Sequence, residues 1–416
     1  MRKEGLAGAV RYVLATYSEF SLVALLTLYF TNMASQQVLA DSSIAFIVIS
    51  YSTFLALGFH NGAIRDGAIS STVEGKERIL RLEVWFSAVI ALLLMLAAFI
   101  CRERFYLMAG LFIGGVNHLK TACQTVFRLL GMDMHLNTLN VTWAGTFFVS
   151  FGLVLWLFKG HALEIQFFGA WSFAAFVVVF SFFVYCWRKL NISSNDRSED
   201  IKLFWKVLSA SKYMFLMASG LVVVLTSDRL VLNVLGAVER VRADFQYIDV
   251  LTNIYFLGMT SVLYYFTPGL LKRFSGENAA DGDFQSMMIK YTGYLSGVMM
   301  VFVLAIMVFL QLVGRFDWAL VEILVSMLLL KTMLICLGFV CNFYLAQRLE
   351  KVLAVAYLGL MVVGLGLSFV FGRLFTGTSF IVFLPLLNAL LVGALVAVLF
   401  KRIRVQGSHE KSTCIN

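Results

Sequence analysis

The chain has 416 residues, of which 60% are hydrophobic and only 14% charged. Soluble domains carry about 25% charged residues, so the composition excludes an ordinary soluble protein and indicates a membrane protein. The formal net charge of +9 does not require a nucleic-acid partner, because the basic residues are scattered through short segments that suit an anionic membrane surface.

A helix that crosses a bilayer needs about 20 mainly apolar residues, and long unbroken apolar runs select helices over barrels. Twelve such runs occur, at 13–33, 42–62, 84–101, 105–127, 137–158, 166–187, 213–235, 247–268, 291–313, 319–346, 351–372 and 379–400. The first run continues past residue 30 without a small-residue cleavage site, so it reads as an uncleaved span and not as a signal peptide. The charged stretch Arg188 to Lys212 divides the runs six and six. This predicts an all-α polytopic membrane protein with an N-terminal six-helix lobe over 1–187, a cytoplasmic linker over 188–212, a C-terminal lobe over 213–400 and a cytoplasmic tail over 401–416. The longer loops 63–83 and 269–290 follow the second span of each half, and Arg11-Tyr12 and Lys212-Tyr213 open the first, as in a duplicated unit. With only Pro268 and Pro385, the helices are expected to be mostly continuous, with a substrate path between bundles and not through broken helices.

Lysine and arginine accumulate in cytoplasmic loops. With the N-terminus inside, 23 basic residues fall in inside segments, seven in outside loops and three within spans. Both termini are therefore expected in the cytoplasm. Every outside loop is short, which leaves no outer domain to hold a substrate.

Polar residues within spans are costly and usually face a cavity or a partner. In span four, Asn117, Thr121, Gln124 and Arg128 recur at helical spacing with Lys120 beside them, a cationic stripe from the cytoplasmic side. In span two, Asn61 and Arg65 share a face, and Arg65 and Asp66 either line a cavity or begin the loop. Glu19 in span one has three roles open to it: pairing with Lys120, pairing with Arg65, or protonation during transport. The doublet Asp228-Arg229 sits in span seven, and adjacent helical residues do not face each other, so each is expected to find a partner elsewhere. Asp249 and Asn253 form part of a polar seam in span eight, and Lys331 lies in span ten. The excess of intramembrane cations over carboxylates suits an anionic ligand such as a pyrophosphate head group.

No metal or catalytic constellation is evident. The cysteines (Cys101, Cys123, Cys186, Cys336, Cys341, Cys414) read as small packing residues, the histidines (His60, His118, His135, His161, His409) are scattered, and no outer loop holds a carboxylate pair. A membrane O-antigen polymerase or acyltransferase would call for such a cluster or a large outer loop.

The chain resembles the Wzx-type O-antigen flippases of the multidrug/oligosaccharidyl-lipid/polysaccharide (MOP) exporter superfamily. The resemblance rests on the length, the six-plus-six spans, Arg11-Tyr12, the segment Gly58 to Arg65, the segment Gln124-Thr125-Val126-Phe127-Arg128-Leu129-Leu130-Gly131, and Asp228-Arg229. It implies two lobes around a central cationic cavity, and a transporter, not an enzyme, that moves an undecaprenyl-pyrophosphate-linked glycan across the bacterial inner membrane by alternating access. On that reading Arg65, Lys120, Arg128, Arg229 and Lys331 contact the substrate, and Glu19, Asp66 and Asp228 serve ion coupling or ion pairing. Asn61, Asn117, Gln124, Asp249 and Asn253 line the cavity. The implied partners are the lipid-linked glycan, the phospholipid bilayer, a polysaccharide polymerase and a chain-length regulator, with no cofactor beyond a coupling proton or sodium ion. The alternative is a cation-coupled small-molecule or drug antiporter of the same superfamily, for which an acidic cavity is expected.

Overall fold

A computed structural model describes residues 3–70, 72–191, 197–235, 239–275, 281–374 and 378–413. All regular elements among them are helical: α1 (Lys3–Met33), α2 (Gln36–Ser52), a 3₁₀ turn (Thr53–Ala56), α3 (Phe59–Ile69), α4 (Val73–Ile100), α5 (Phe105–Leu129), α6 (Asp133–Leu157) and α7 (Leu163–Lys189). They continue with α8 (Arg197–Val234), α9 (Glu239–Phe274), α10 (Asp281–Leu312), α11 (Trp318–Ala346), α12 (Glu350–Leu374) and α13 (Thr378–Thr413). Each expected span falls on one of these helices, except the second, which falls on α2 and α3 together.

Among the described residues, nine helices are long and apolar enough to cross a membrane, or ten when α2 and α3 count as one bent span. The polar face of α5, with Asn117, His118, Lys120, Gln124 and Arg128, accounts for its absence from that set.

Among the described residues the expected continuity fails at one place, and proline is not the cause. Between Ile44–Ala56 and Phe59–Ile69 the axis bends by 50°. The bend occurs where Leu57 and Gly58 adopt left-handed backbone conformations, with φ of 48° and 75°. Pro268 and Pro385 lie inside α9 and α13 without ending them. Close packing explains the glycine: a Cβ on Gly58 would stand 2.5 Å from the backbone nitrogen of Phe215 and 2.6 Å from the carbonyl oxygen of Ser211. One turn on, a Cβ on Gly62 would collide with the Ser211 hydroxyl. The Gly58-x-x-x-Gly62 spacing thus lets α3 lie directly on the backbone of α8.

Polar side chains and glycines set several helix ends. Ser35 and Thr72 accept hydrogen bonds from the Val38 and Gly75 amides at the starts of α2 and α4, and Asp317 accepts from Ala319 at the start of α11. Helix α5 stops at Gly131, whose φ of 68° allows the Met132 amide to reach back to the Phe127 carbonyl at 2.7 Å.

The chain forms two compact units, Met1–Ala218 and Ser219–Asn416, with the boundary inside α8. In unit 1, α5 is central and packs against α2, α4 and α7, with α6 on α1 and α7. In unit 2, α11 is central and packs against α9, α10 and α13, and α12 packs on α13. The central helix is the fourth span of its half in both units. Its contacts with the second, third and sixth spans recur, as does the contact of the fifth with the sixth. The pairing pattern is that of one six-helix unit used twice.

The charged stretch at the midpoint is more than a tether. From Arg197 it is helical and runs without interruption into span seven, giving α8 a length of about 57 Å for its 38 residues at 1.5 Å each. That exceeds the ~30 Å hydrocarbon core, so the charged half extends beyond it. Val207, Leu203, Phe204 and Leu208 of that half pack on Phe59 and Ala63 of α3 and Ile79 and Leu82 of α4. Arg78 reinforces the contact through a 2.5 Å ion pair with Asp200.

Candidate functional site

Unit 1 contains a cavity of about 150 Å³ at the α2–α3 bend, bounded by α4, α5 and α8. Helical spacing aims its lining inward. Gly114, Asn117, His118 and Thr121 form one face of α5, Glu83, Phe86 and Ser87 one face of α4, and His60 and Asn61 the first turn of α3. Phe54 and Phe215 supply further aromatic wall.

The most informative group is Glu83, which is 1% exposed. Its Oε1 accepts from His60 Nδ1 at 2.8 Å, with the Ser87 hydroxyl at 3.5 Å. Its Oε2 is buried and has no hydrogen-bond partner among the described residues. Thr125 Oγ1 lies 3.2 Å from the same His60 nitrogen. His118 donates from Nε2 to the Ser52 carbonyl at 2.9 Å, so the bend of span two and the face of α5 are joined by a histidine. No lysine or arginine among the described residues lines the cavity. A buried carboxylate with one uncommitted oxygen favours a positive charge nearby, such as a small cation.

The residues singled out from sequence divide among several environments. Asn61 and Asn117 line this cavity. Gln124 instead donates to Asn140 of α6 at 3.0 Å. Lys120 forms an ion pair with Glu19 of α1, one of the two partners expected for that carboxylate, and its ammonium lies 4.2 Å from the centre of the Trp143 ring. Arg65 is buried, and its Nε donates to the neighbouring Asp66 carboxylate at 2.7 Å. Arg128 is half-buried near the end of α5. The cationic stripe of span four therefore does not face one space: Asn117 and Thr121 turn to the cavity, while Lys120 and Gln124 turn to α1 and α6.

In unit 2, Asp228 is buried and accepts from Asn388 of α13 at 2.8 Å. Arg229 lies in α8, with its side chain outside the described residues. Lys331 is buried in α11 and bonds to Asp249, Thr252 and Asn253 of α9. Asp249 and Asn253 are thus occupied by a lysine.

Four contributors carry little signal in the sequence. Glu83 lies one residue before the expected start of span three, where it reads as a loop residue. His60 and His118 are scattered in the sequence, but both belong to spans and the fold brings them to one cavity. Asn388, a lone carboxamide in span twelve, was detectable as a polar residue in lipid.

Solved structures of similar fold cover nearly the whole chain. A multidrug resistance MATE family transporter of the MOP superfamily, in an outward-facing conformation, superposes with a TM-score of 0.71 at 13% identity, over 97% of this chain and 96% of that one. A MATE structure in complex with MaD3S gives 0.72 at 14%, again over 97% and 96%. A MOP superfamily transporter from Pyrococcus furiosus, described as having a binding pocket of reverse polarity that suggests a different function, gives 0.69 at 13% over the same shares. No protein-family model and no curated protein matches the chain. At this identity the likeness shows the fold alone, an all-helical fold shared with these solved structures.

Proposed function

We propose that this chain is a cation-coupled membrane transporter working by alternating access, with the Glu83–His60 pair as its cation-responsive site. The observation that carries the reading is the buried Glu83 carboxylate, hydrogen-bonded on one oxygen and uncommitted on the other, in the cavity of unit 1. Such a group exchanges a proton or small cation as its surroundings open and close. The MOP fold supports the transporter class.

Of the two cargo classes, the small-molecule antiporter is the better supported. Arg65, Lys120 and Lys331 each hold a carboxylate, which removes much of the positive excess on which an anionic cargo was expected. Among the described residues the unit 1 cavity is lined by the Glu83 carboxylate and by no lysine or arginine, and the similar folds include multidrug transporters. The second reading is the flippase for an undecaprenyl-pyrophosphate-linked oligosaccharide in the bacterial inner membrane, acting with a polymerase and a chain-length regulator. It keeps the support of the span-two, span-four and span-seven motifs, and of a relative in fold whose pocket has reverse polarity.

Deletion of the gene, complemented by wild type or by Glu83→Gln, separates these. Antiport predicts that deletion increases sensitivity to lipophilic cations, and that Glu83→Gln fails to restore resistance while the protein stays folded in the membrane. Unchanged sensitivity with loss of surface polysaccharide and accumulation of lipid-linked repeat units facing the cytoplasm would shift the assignment to the flippase. Neither phenotype would sink both.

A further inference from the structure

The Lys331 ammonium sits among four oxygens contributed by little more than one turn of α9. These are Asp249 Oδ1 at 2.9 Å, the Asp249 carbonyl at 3.2 Å, Thr252 Oγ1 at 2.6 Å and Asn253 Oδ1 at 2.8 Å. The oxygens are oriented by bonds that do not involve the lysine. Asn253 donates its Nδ2 to Asp249 Oδ2 at 3.0 Å, which turns its own oxygen toward the ammonium. Thr252 donates to the Ile248 carbonyl at 3.0 Å, which leaves its lone pairs for the cation. A carboxylate, a main-chain carbonyl, a hydroxyl and a carboxamide make an all-oxygen donor set of the kind that replaces the hydration shell of a hard cation.

We propose that α9 forms a monovalent-cation site at Asp249, Thr252 and Asn253, and that Lys331 fills it as a tethered cation, holding α9 against α11 in place of a dissolved ion. The side chain of Lys331 is 4% exposed and that of Asp249 is 9% exposed, so the carboxylate has little access to water as a substitute. An ammonium on a four-carbon stem carries the same charge as sodium or potassium, but cannot dissociate. The α9–α11 contact then carries a fixed charge in place of a soluble ion. The inference does not depend on which cargo is carried.

The test uses the full chain, produced and purified in detergent with sodium chloride, as wild type, Lys331→Ala and Lys331→Ala/Asp249→Asn. Thermal unfolding is followed in sodium, potassium, methylammonium or N-methylglucamine chloride at constant ionic strength. The wild type should show no dependence on cation identity. Lys331→Ala should rise in Tm by similar steps for each tenfold increase of sodium, potassium or methylammonium above its dissociation constant, and not with the bulky N-methylglucamine. The double variant should lose that response. A Lys331→Ala protein whose Tm ignores cation identity would overturn the proposal, as would a wild type that responds equally. If Lys331→Ala fails to fold in every salt, the proposal also falls, because an open site should be filled by the ions supplied.

Discussion

The Glu19–Lys120 pair illustrates how single charges are accommodated in this protein. Glu19 is 4% exposed, and Lys120 reaches it from α5 while covering the face of Trp143. Removing one member of such a pair strands the other in a medium that cannot solvate it. Lys120→Ala is therefore expected to destabilise unit 1 by about 3–5 kcal/mol, whereas Glu19→Gln/Lys120→Met, which removes both charges at similar volume, should recover most of that loss. Reversible denaturation of the purified proteins in micelles measures both, and a double variant no more stable than Lys120→Ala would show that charge pairing is not the cause. Both residues were visible in the sequence because a charge inside an apolar run stands out against its neighbours. Glu83 was not, since at the edge of a span a carboxylate looks like a loop residue, and only packing shows that it is buried.

At the scale of elements, the positions of the spans are legible from apolar run length, but the helical charged half of α8 and the bend in span two are not. Proline content was the wrong signal. The bend reflects contact between α3 and the backbone of α8, two helices separated by more than a hundred residues, and no local propensity encodes that contact. Gly58 answers to two demands at once, a φ of 75° and the absence of a Cβ that would stand 2.5 Å from a backbone nitrogen. A residue held at positive φ without glycine's freedom costs about 1–3 kcal/mol, and the collision adds to this, so Gly58→Ala should lower Tm well beyond the strain alone or prevent folding. Gly145 in α6 is the matched control, because a Cβ there meets nothing within 4 Å. Gly145→Ala should be neutral or stabilising by about 0.5–1 kcal/mol. Equal Tm changes for the two variants would show that the close approach to α8 is not what selects glycine at position 58.

At the scale of the whole molecule, the repeated helix pairings of the two units accord with the six-plus-six pattern of apolar runs, while the sequence could not show that α8 belongs partly to each unit. The bent pair α2–α3 decides how many times the chain crosses the bilayer. If the pair crosses, the basic residues of the segment after α3 lie on the cytoplasmic side, as the distribution of lysine and arginine requires. If it instead turns back as a re-entrant element, every later loop changes side and the basic excess faces outward. Single cysteines at Gln37 and Glu74, both exposed and flanking the pair, discriminate between these when placed in a background with the six natural cysteines replaced. A membrane-impermeant maleimide applied to intact cells should label Gln37→Cys and spare Glu74→Cys until the membrane is permeabilised. Lys159→Cys, in the loop between α6 and α7, should label like Gln37→Cys, and Lys189→Cys like Glu74→Cys. Labelling of Gln37→Cys and Glu74→Cys from the same side would make the bend re-entrant and would place the Glu83 cavity near a membrane surface instead of along a crossing helix.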